Sequence, residues 1–401
     1  SEREKPTVVL LECSSSLAGG ERDERARDDD GPASEPAAPA VGRWGPPDPT
    51  PLPRPRWAPP RAPLRLTAAA HCDLAAAAEA ALRALLGAHN YDSVANFVAL
   101  HDEWERRGEA LAPWFREYAP PVRSGRSTCV GLAIELVRTW RELERQFPGF
   151  AAATGLASCE EAVAAVGEYV TQGESPEAVD NAEKEHVMVA VRVLVEGRAG
   201  VLLADPGYHV PRVITVMADR QYPHTGWFTQ SDEPHCRKEY SYSFSPLNPG
   251  YVEWHERETR GAVVKTQTSL VYVARPYIDA VNVTERRNLV YNFRSLLSRD
   301  QKGHLVAGLY FPVTSRKDAS FTLFYDAGGE KPKTKYKFSA FHEPKNIPPS
   351  LLEEVEICNS QMNYKEGELL NILFKLSKVM SCQPFIDQVL EINDDICRMC
   401  L

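Results

Sequence analysis

Three side chains with the chemistry of a nucleophile, a base and an orienting carboxylate follow one another along this chain: Cys129, His186 and Asp205. Cys129 ends the polar run Gly125-Arg126-Ser127-Thr128, and apolar residues then recur at Val130, Ala133, Ile134, Val137 and Trp140. That is the three-and-four spacing of a helix with one buried face, so the sulfur is expected at a helix N-terminus. The unpaired N–H groups and positive dipole end found there favour a thiolate, and the same groups can hold an oxyanion. Ser127 or Thr128 is placed to cap the helix. A lone cysteine in such a place is commonly only a small buried residue. His186 and Asp205 are what raise Cys129 above that reading.

His186 opens the β-branched run His186 to Val195, and Asp205 closes Val201-Leu202-Leu203-Ala204-Asp205. If Glu196-Gly197 is a two-residue hairpin turn, Val195 pairs with Arg198 and Asp205 lies opposite Met188, one diagonal step from His186 on the same face. A longer turn through Gly200 would put Asp205 opposite Val191 and on the other face, because the side-chain period is two. The tight turn is the expected one, since so apolar a strand has little other reason to carry a histidine and an aspartate at its ends. In the roles this chemistry assigns, Asp205 fixes the imidazole tautomer and His186 holds Cys129 as thiolate and shuttles a proton. Cys129 then carries an acyl group as a thioester.

The elements that must position these groups are legible from periodicity. Helices are expected over Asp73 to Leu86, Asp92 to Glu109, Cys159 to Gln172, Pro348 to Glu356 and Glu366 to Met380. Strands are expected over Val210 to Val216, Ser241 to Phe244, Val263 to Val273, Leu305 to Pro312 and Ser320 to Tyr325, with a helix or ribbon over Glu285 to Ser298. The fold class is therefore α+β. Residues 1–66 read as a disordered Pro-rich tail, 67–182 as a helical domain carrying the cysteine, 183–300 as an antiparallel β-barrel carrying the histidine and aspartate, and 301–401 as an α/β lid with C-terminal helices. Pro51-Leu52-Pro53-Arg54-Pro55 suits a proline-recognising partner of the SH3 or WW kind.

The 401 residues are 43% hydrophobic, enough for a large core, and the net charge of -9 argues against nucleic acid or an anionic membrane as the main partner. Nine cysteines without regular spacing suit a reduced, cytoplasmic chain, in which the sequon Asn282-Val283-Thr284 goes unused. Cys397 and Cys400 have metal or redox spacing; a zinc site would need two more ligands, Cys358 and Cys382, and no metal is expected.

The run Arg123 to Cys129, His186-Val187-Met188-Val189, and Leu202-Leu203-Ala204-Asp205-Pro206-Gly207-Tyr208 together resemble the arylamine N-acetyltransferases. In that family a cysteine opens a helix, a histidine opens a strand, and an aspartate is followed one residue later by glycine and an aromatic. The resemblance implies that Cys129, His186 and Asp205 are a catalytic triad. It also implies ping-pong transfer of an acyl group from acetyl-CoA, as acyl donor, to a small-molecule amine. The chain departs from the family at Arg126, Ser127 and Thr128, where glycines precede the cysteine, at His209, where a glycine follows the aromatic, and in a longer interval around Phe147 to Asn181. His209 itself is expected at the surface. Two other readings use the same residues: a transglutaminase or papain-like cysteine hydrolase, and an inactive relative whose Pro-rich head recruits partners.

Overall fold

The computed structural model describes residues 50–172, 184–315 and 318–399. Its elements begin with Leu64–Leu66 (β1), Ala68–Ala88 (α1), Asn90–Asp92 (β2), Val94–Arg107 (α2), Ala112–Phe115 (α3), Arg126–Ser127 (β3) and Cys129–Trp140 (α4). Phe150–Ala153 (α5), Thr154–Glu160 (β4), Val166–Thr171 (α6), His186–Val195 (β5), Arg198–Ala204 (β6) and Ile214–Met217 (β7) follow. Then come Phe228–Glu233 (β8), Cys236–Phe244 (β9), Tyr251–Arg260 (β10) and Val263–Tyr272 (β11). A π-helical turn, Ala280–Glu285, enters Arg286–Val290 (α7). Phe293–Arg299 (β12), Leu305–Pro312 (β13), Ser320–Phe324 (β14) and Lys333–Lys337 (β15) lead to the helices Pro349–Gln361 (α8), Glu368–Ser381 (α9) and Gln383–Met399 (α10).

The result is a mixed fold with two sheets. The larger runs β7-β6-β5-β4-β11-β10-β9-β8, with β1 added parallel to the far end of β5, and it curls into a half-barrel. The smaller runs β15-β14-β13-β12-β2-β3. β5 is buried on both sides for most of its length, which is why its run is apolar apart from His186 and the exposed Arg192. Val187, Val189, Val191, Val193 and Val195 pack towards α1 and α4, while Met188 and Ala190 face Val201, Leu203, Tyr240 and Trp254 across the curl. His186 falls in the second set by alternation. A further core joins α2, α8, α9 and α10 to the smaller sheet through Phe97, Phe311, Phe321, Leu373 and Phe385.

Several expectations are corrected. Cys159 to Gln172 is not one helix: Thr154–Glu160 is a strand that pairs with β5, Cys159 opposite His186, and only Val166–Thr171 is helical. The Glu160 carboxylate meets Lys184 Nζ at 2.8 Å and both are buried, so an ion pair and a ladder override the helix propensity of Glu161 to Val166. The tail expected through residue 66 lies partly outside the described residues. From residue 50 the chain packs down, with Trp57 buried, Arg56 paired with Asp279 at 2.8 Å, and β1 in the sheet. The expected boundary at residue 300 falls inside the β12–β13 hairpin. Strands β8, β10 and β15 and helix α10 were not expected; β10 reads Tyr251-Val252-Glu253-Trp254-His255-Glu256-Arg257-Glu258, whose charges hide its alternation.

Glu196 and Gly197 make the two-residue turn, at φ of 49° and 77°, and Val195 pairs with Arg198. Two consecutive left-handed residues are what a type I′ hairpin turn needs, and glycine supplies the second at no steric cost. Gly197→Val should lower stability by about 1–2 kcal/mol, read as a lower urea midpoint; an unchanged midpoint would show that the turn has another geometry.

Candidate active site

The sulfur of Cys129 sits where the two sheets meet. β3, the edge of the smaller sheet, ends one residue before the helix cap, and α4 packs on β5 of the larger sheet. Thr128 is the cap: its Oγ1 accepts the Val130 N–H at 3.3 Å and donates to a carboxylate oxygen of Glu285. The other Glu285 oxygen accepts Asn96 Nδ2 at 2.7 Å. Glu285 is fully enclosed, and burial pushes its carboxyl pKa up. The helix start is thus tied to the π-helical turn and to α2.

His186 and Asp205, which the sequence brings to one face, meet directly. His186 Nε2 lies 2.9 Å from Asp205 Oδ2, and the two side chains are 3% and 0% exposed. The second Asp205 oxygen accepts the Tyr208 N–H at 3.0 Å. Cys129 lies close enough to the ring to raise its pKa as well. Gly207 passes against both partners: a Cβ there would lie 2.6 Å from Cys129 Cβ and 2.9 Å from His186 Cε1. The Tyr208 ring stands edge-on to the imidazole, centroids 4.7 Å apart, and its hydroxyl donates to Glu161 at 2.6 Å.

Burial is the largest influence on His186 and opposes its charge, but Asp205 and then Cys129 outweigh it and hold the pKa well above 6.5. An imidazolium at neutral pH is the counter-ion that a Cys129 thiolate needs.

Two buried arginines of β12, which no sequence signal singled out beyond their place in an apolar strand, brace the site. Arg299 Nη1 donates to Pro206 O at 2.5 Å and to His209 Nδ1 at 2.8 Å, and Nη2 donates to His89 O at 2.8 Å. His209 is therefore buried, not at the surface as expected, and burial followed by the Arg299 charge drives its pKa well below 6.5. Arg294 donates to Asn288 O at 2.5 Å and to Leu289 O, holding the end of α7. Burial pulls both guanidinium pKa values down to about 9.

A cleft of about 840 Å³, part of it open to solvent, reaches Cys129 and His186 between aromatic walls that include Tyr91, Tyr208, Tyr240, Tyr291 and Phe293. Glu161, Glu185, Gln230, Lys238 and Asn288 are among its polar groups. Cys358 is buried against Gly308 O and Phe324 O, and Cys400 lies outside the described residues. Among the described residues one group, His101, Asp102 and Glu105, is close enough to share an ion, but Lys378 Nζ already stands 2.6 Å from Glu105. Among the described residues no helix is long and apolar enough to cross a membrane.

No family model matches the chain, and no curated protein or solved structure matches it either.

Asp205→Asn removes the charge that outweighs burial, so the His186 pKa should fall and iodoacetamide labelling of Cys129 at pH 7 should slow about tenfold or more; retained labelling would detach Asp205 from the sulfur. In the parent chain the folded His186 pKa lies above its unfolded value. Its stabilising contribution is therefore complete below about pH 6.5 and is lost as pH rises through the raised value. Urea midpoints taken upward from pH 6 should show this loss, and Asp205→Asn should flatten it. Gly207→Ala should also suppress Cys129 labelling, because the added methyl must push the sulfur and the ring apart.

Proposed function

We propose that this chain is a cysteine acyltransferase of the arylamine N-acetyltransferase type. Cys129 takes an acyl group, acetyl in the simplest case, from acyl-CoA and passes it to an amine. The observation that carries the reading is the buried His186 ring, held at Nε2 by Asp205 at 2.9 Å and raised in pKa by Asp205 and by Cys129, which stands at a helix N-terminus. In the first half-reaction the Cys129 thiolate attacks the thioester carbonyl, the sulfur–carbon bond forms, and the electron pair moves onto the carbonyl oxygen. Collapse expels the thiolate of the donor, which takes the proton from His186. In the second half-reaction neutral His186 removes a proton from the attacking amine, and Cys129 leaves. Asp205 keeps the ring in one tautomer and supports its charge throughout.

The aromatic walls of the cleft suit a flat amine. On this reading the helices around α1 and α4, the half-barrel, and the smaller sheet with α8 to α10 are the helical, β and lid parts of that family. The Pro-rich head is an extension to it.

Incubation of the full chain with acetyl-CoA and longer acyl-CoA thioesters should give a mass increase equal to the acyl group, absent in Cys129→Ala. Failure of every donor to leave an adduct on a chain whose Cys129 still alkylates rapidly would favour the cysteine hydrolase.

A further inference from the structure

Resting on that reading, we propose that Asn288 supplies an oxyanion donor to the reaction at Cys129. Its Nδ2 lies 3.8 Å from Cys129 Sγ and 3.4 Å from Glu185 O. The second distance decides which way the amide points, because a backbone carbonyl only accepts, so the NH2 end and not the oxygen faces both Glu185 O and the sulfur. One N–H is engaged by that carbonyl. The other makes a long, weak contact with sulfur, so little is invested in the resting state.

In the tetrahedral adduct the negative oxygen is carried by the carbon bonded to Sγ, one bond beyond the sulfur. A donor that stands 3.8 Å from Sγ can then reach this oxygen at ordinary N–H···O length. The interaction gains strength as charge develops, which is the condition for accelerating the step. The N–H of Cys129 itself, at the first position of α4, has no acceptor within its helix and is the natural second donor.

Asn288 is also held rigidly. It sits on α7, a five-residue helix, and Arg294 Nη1 donates to its carbonyl at 2.5 Å while the guanidinium lies 4.5 Å from the centre of the Phe97 ring. Arg294 touches none of the reacting atoms; it is a positioning residue for Asn288.

The test compares two reactions of one sulfur in the full chain. p-Nitrophenyl acetate acylates Cys129 through an oxyanion: the sulfur–carbon bond forms, the ester carbon–oxygen bond breaks, and p-nitrophenolate leaves. Iodoacetamide alkylates it at a saturated carbon with loss of iodide and no oxyanion. Asn288→Ala and the volume-keeping Asn288→Leu should each slow acylation by about 100- to 1000-fold while leaving alkylation as in the parent chain. Equal acylation rates in parent and variants would overturn the assignment. So would a parallel fall of acylation and alkylation, which would make Asn288 a support for the thiolate. A parent chain that alkylates rapidly but is never acylated would remove the acyl-transfer reading, and the role of Asn288 with it.

Discussion

A carboxylate and an imidazole buried 2.9 Å apart constrain nearly everything around them. Taking two ionised groups out of water costs several kcal/mol for each, and their attraction offsets that only when the remaining lone pairs and protons are matched. Asp205 meets the condition with the Tyr208 N–H on its second oxygen, which requires the chain after it to double back; Val210 N accordingly returns to Asp205 O at 3.2 Å. The doubled-back loop brings Gly207 against Cys129 and His186 with no room for a side chain, and sets His209 at φ +59°. That conformation suits glycine and is costly for other residues. The strain at His209 is therefore compensated by contacts: its ring is buried and accepts from Arg299.

Arg299 and Arg294 show how a second sheet stabilises a site built on the first. Both rise from β12, both are buried, and both give their N–H groups mainly to backbone carbonyls of the segments next to the sulfur. A guanidinium has five donors in a fixed plane, so one side chain can tie several carbonyls into one arrangement where a lysine would hold them loosely. Through Arg299 the loop after Asp205 is joined to the end of α1, and through Arg294 the helix carrying Asn288 is fixed at its end. Thr128 and Glu285 do the same for the start of α4. The site is a junction of separate elements pinned by buried polar groups, and for Arg299, Thr128 and Glu285 the partners lie far away in sequence.

That separation explains what periodicity missed. The end of β4, Cys159 and Glu160, reads as the start of a helix because its ladder partners are in β5 and β11 and its carboxylate partner is Lys184, all distant in sequence. β10 reads poorly as a strand because Glu256 and Glu258 continue the face of Val252 and Trp254, although both are neutralised across the sheet by Lys238. Trp57, in a stretch that composition assigns to a disordered tail, is buried between Tyr272 and Tyr277 and donates to Ser158. Proline-rich chain gains order when one large ring finds a slot, and composition averages over that ring.

The sequence by itself determined the parts of the site that depend on local rules. Polar residues ahead of a helical repeat place Cys129 at the first turn of α4, and a two-residue turn at Glu196-Gly197, with a period of two on either side, places His186 and Asp205 on one face. Caps, turns and alternation act over a few residues, so one chain read in order is enough. Only the tertiary structure decided that the sulfur reaches that face, that His209 is buried, and that Asn288, Arg294 and Arg299 stand beside the pair. Those facts depend on how two sheets and the helices between them pack, which no stretch of sequence read in order specifies.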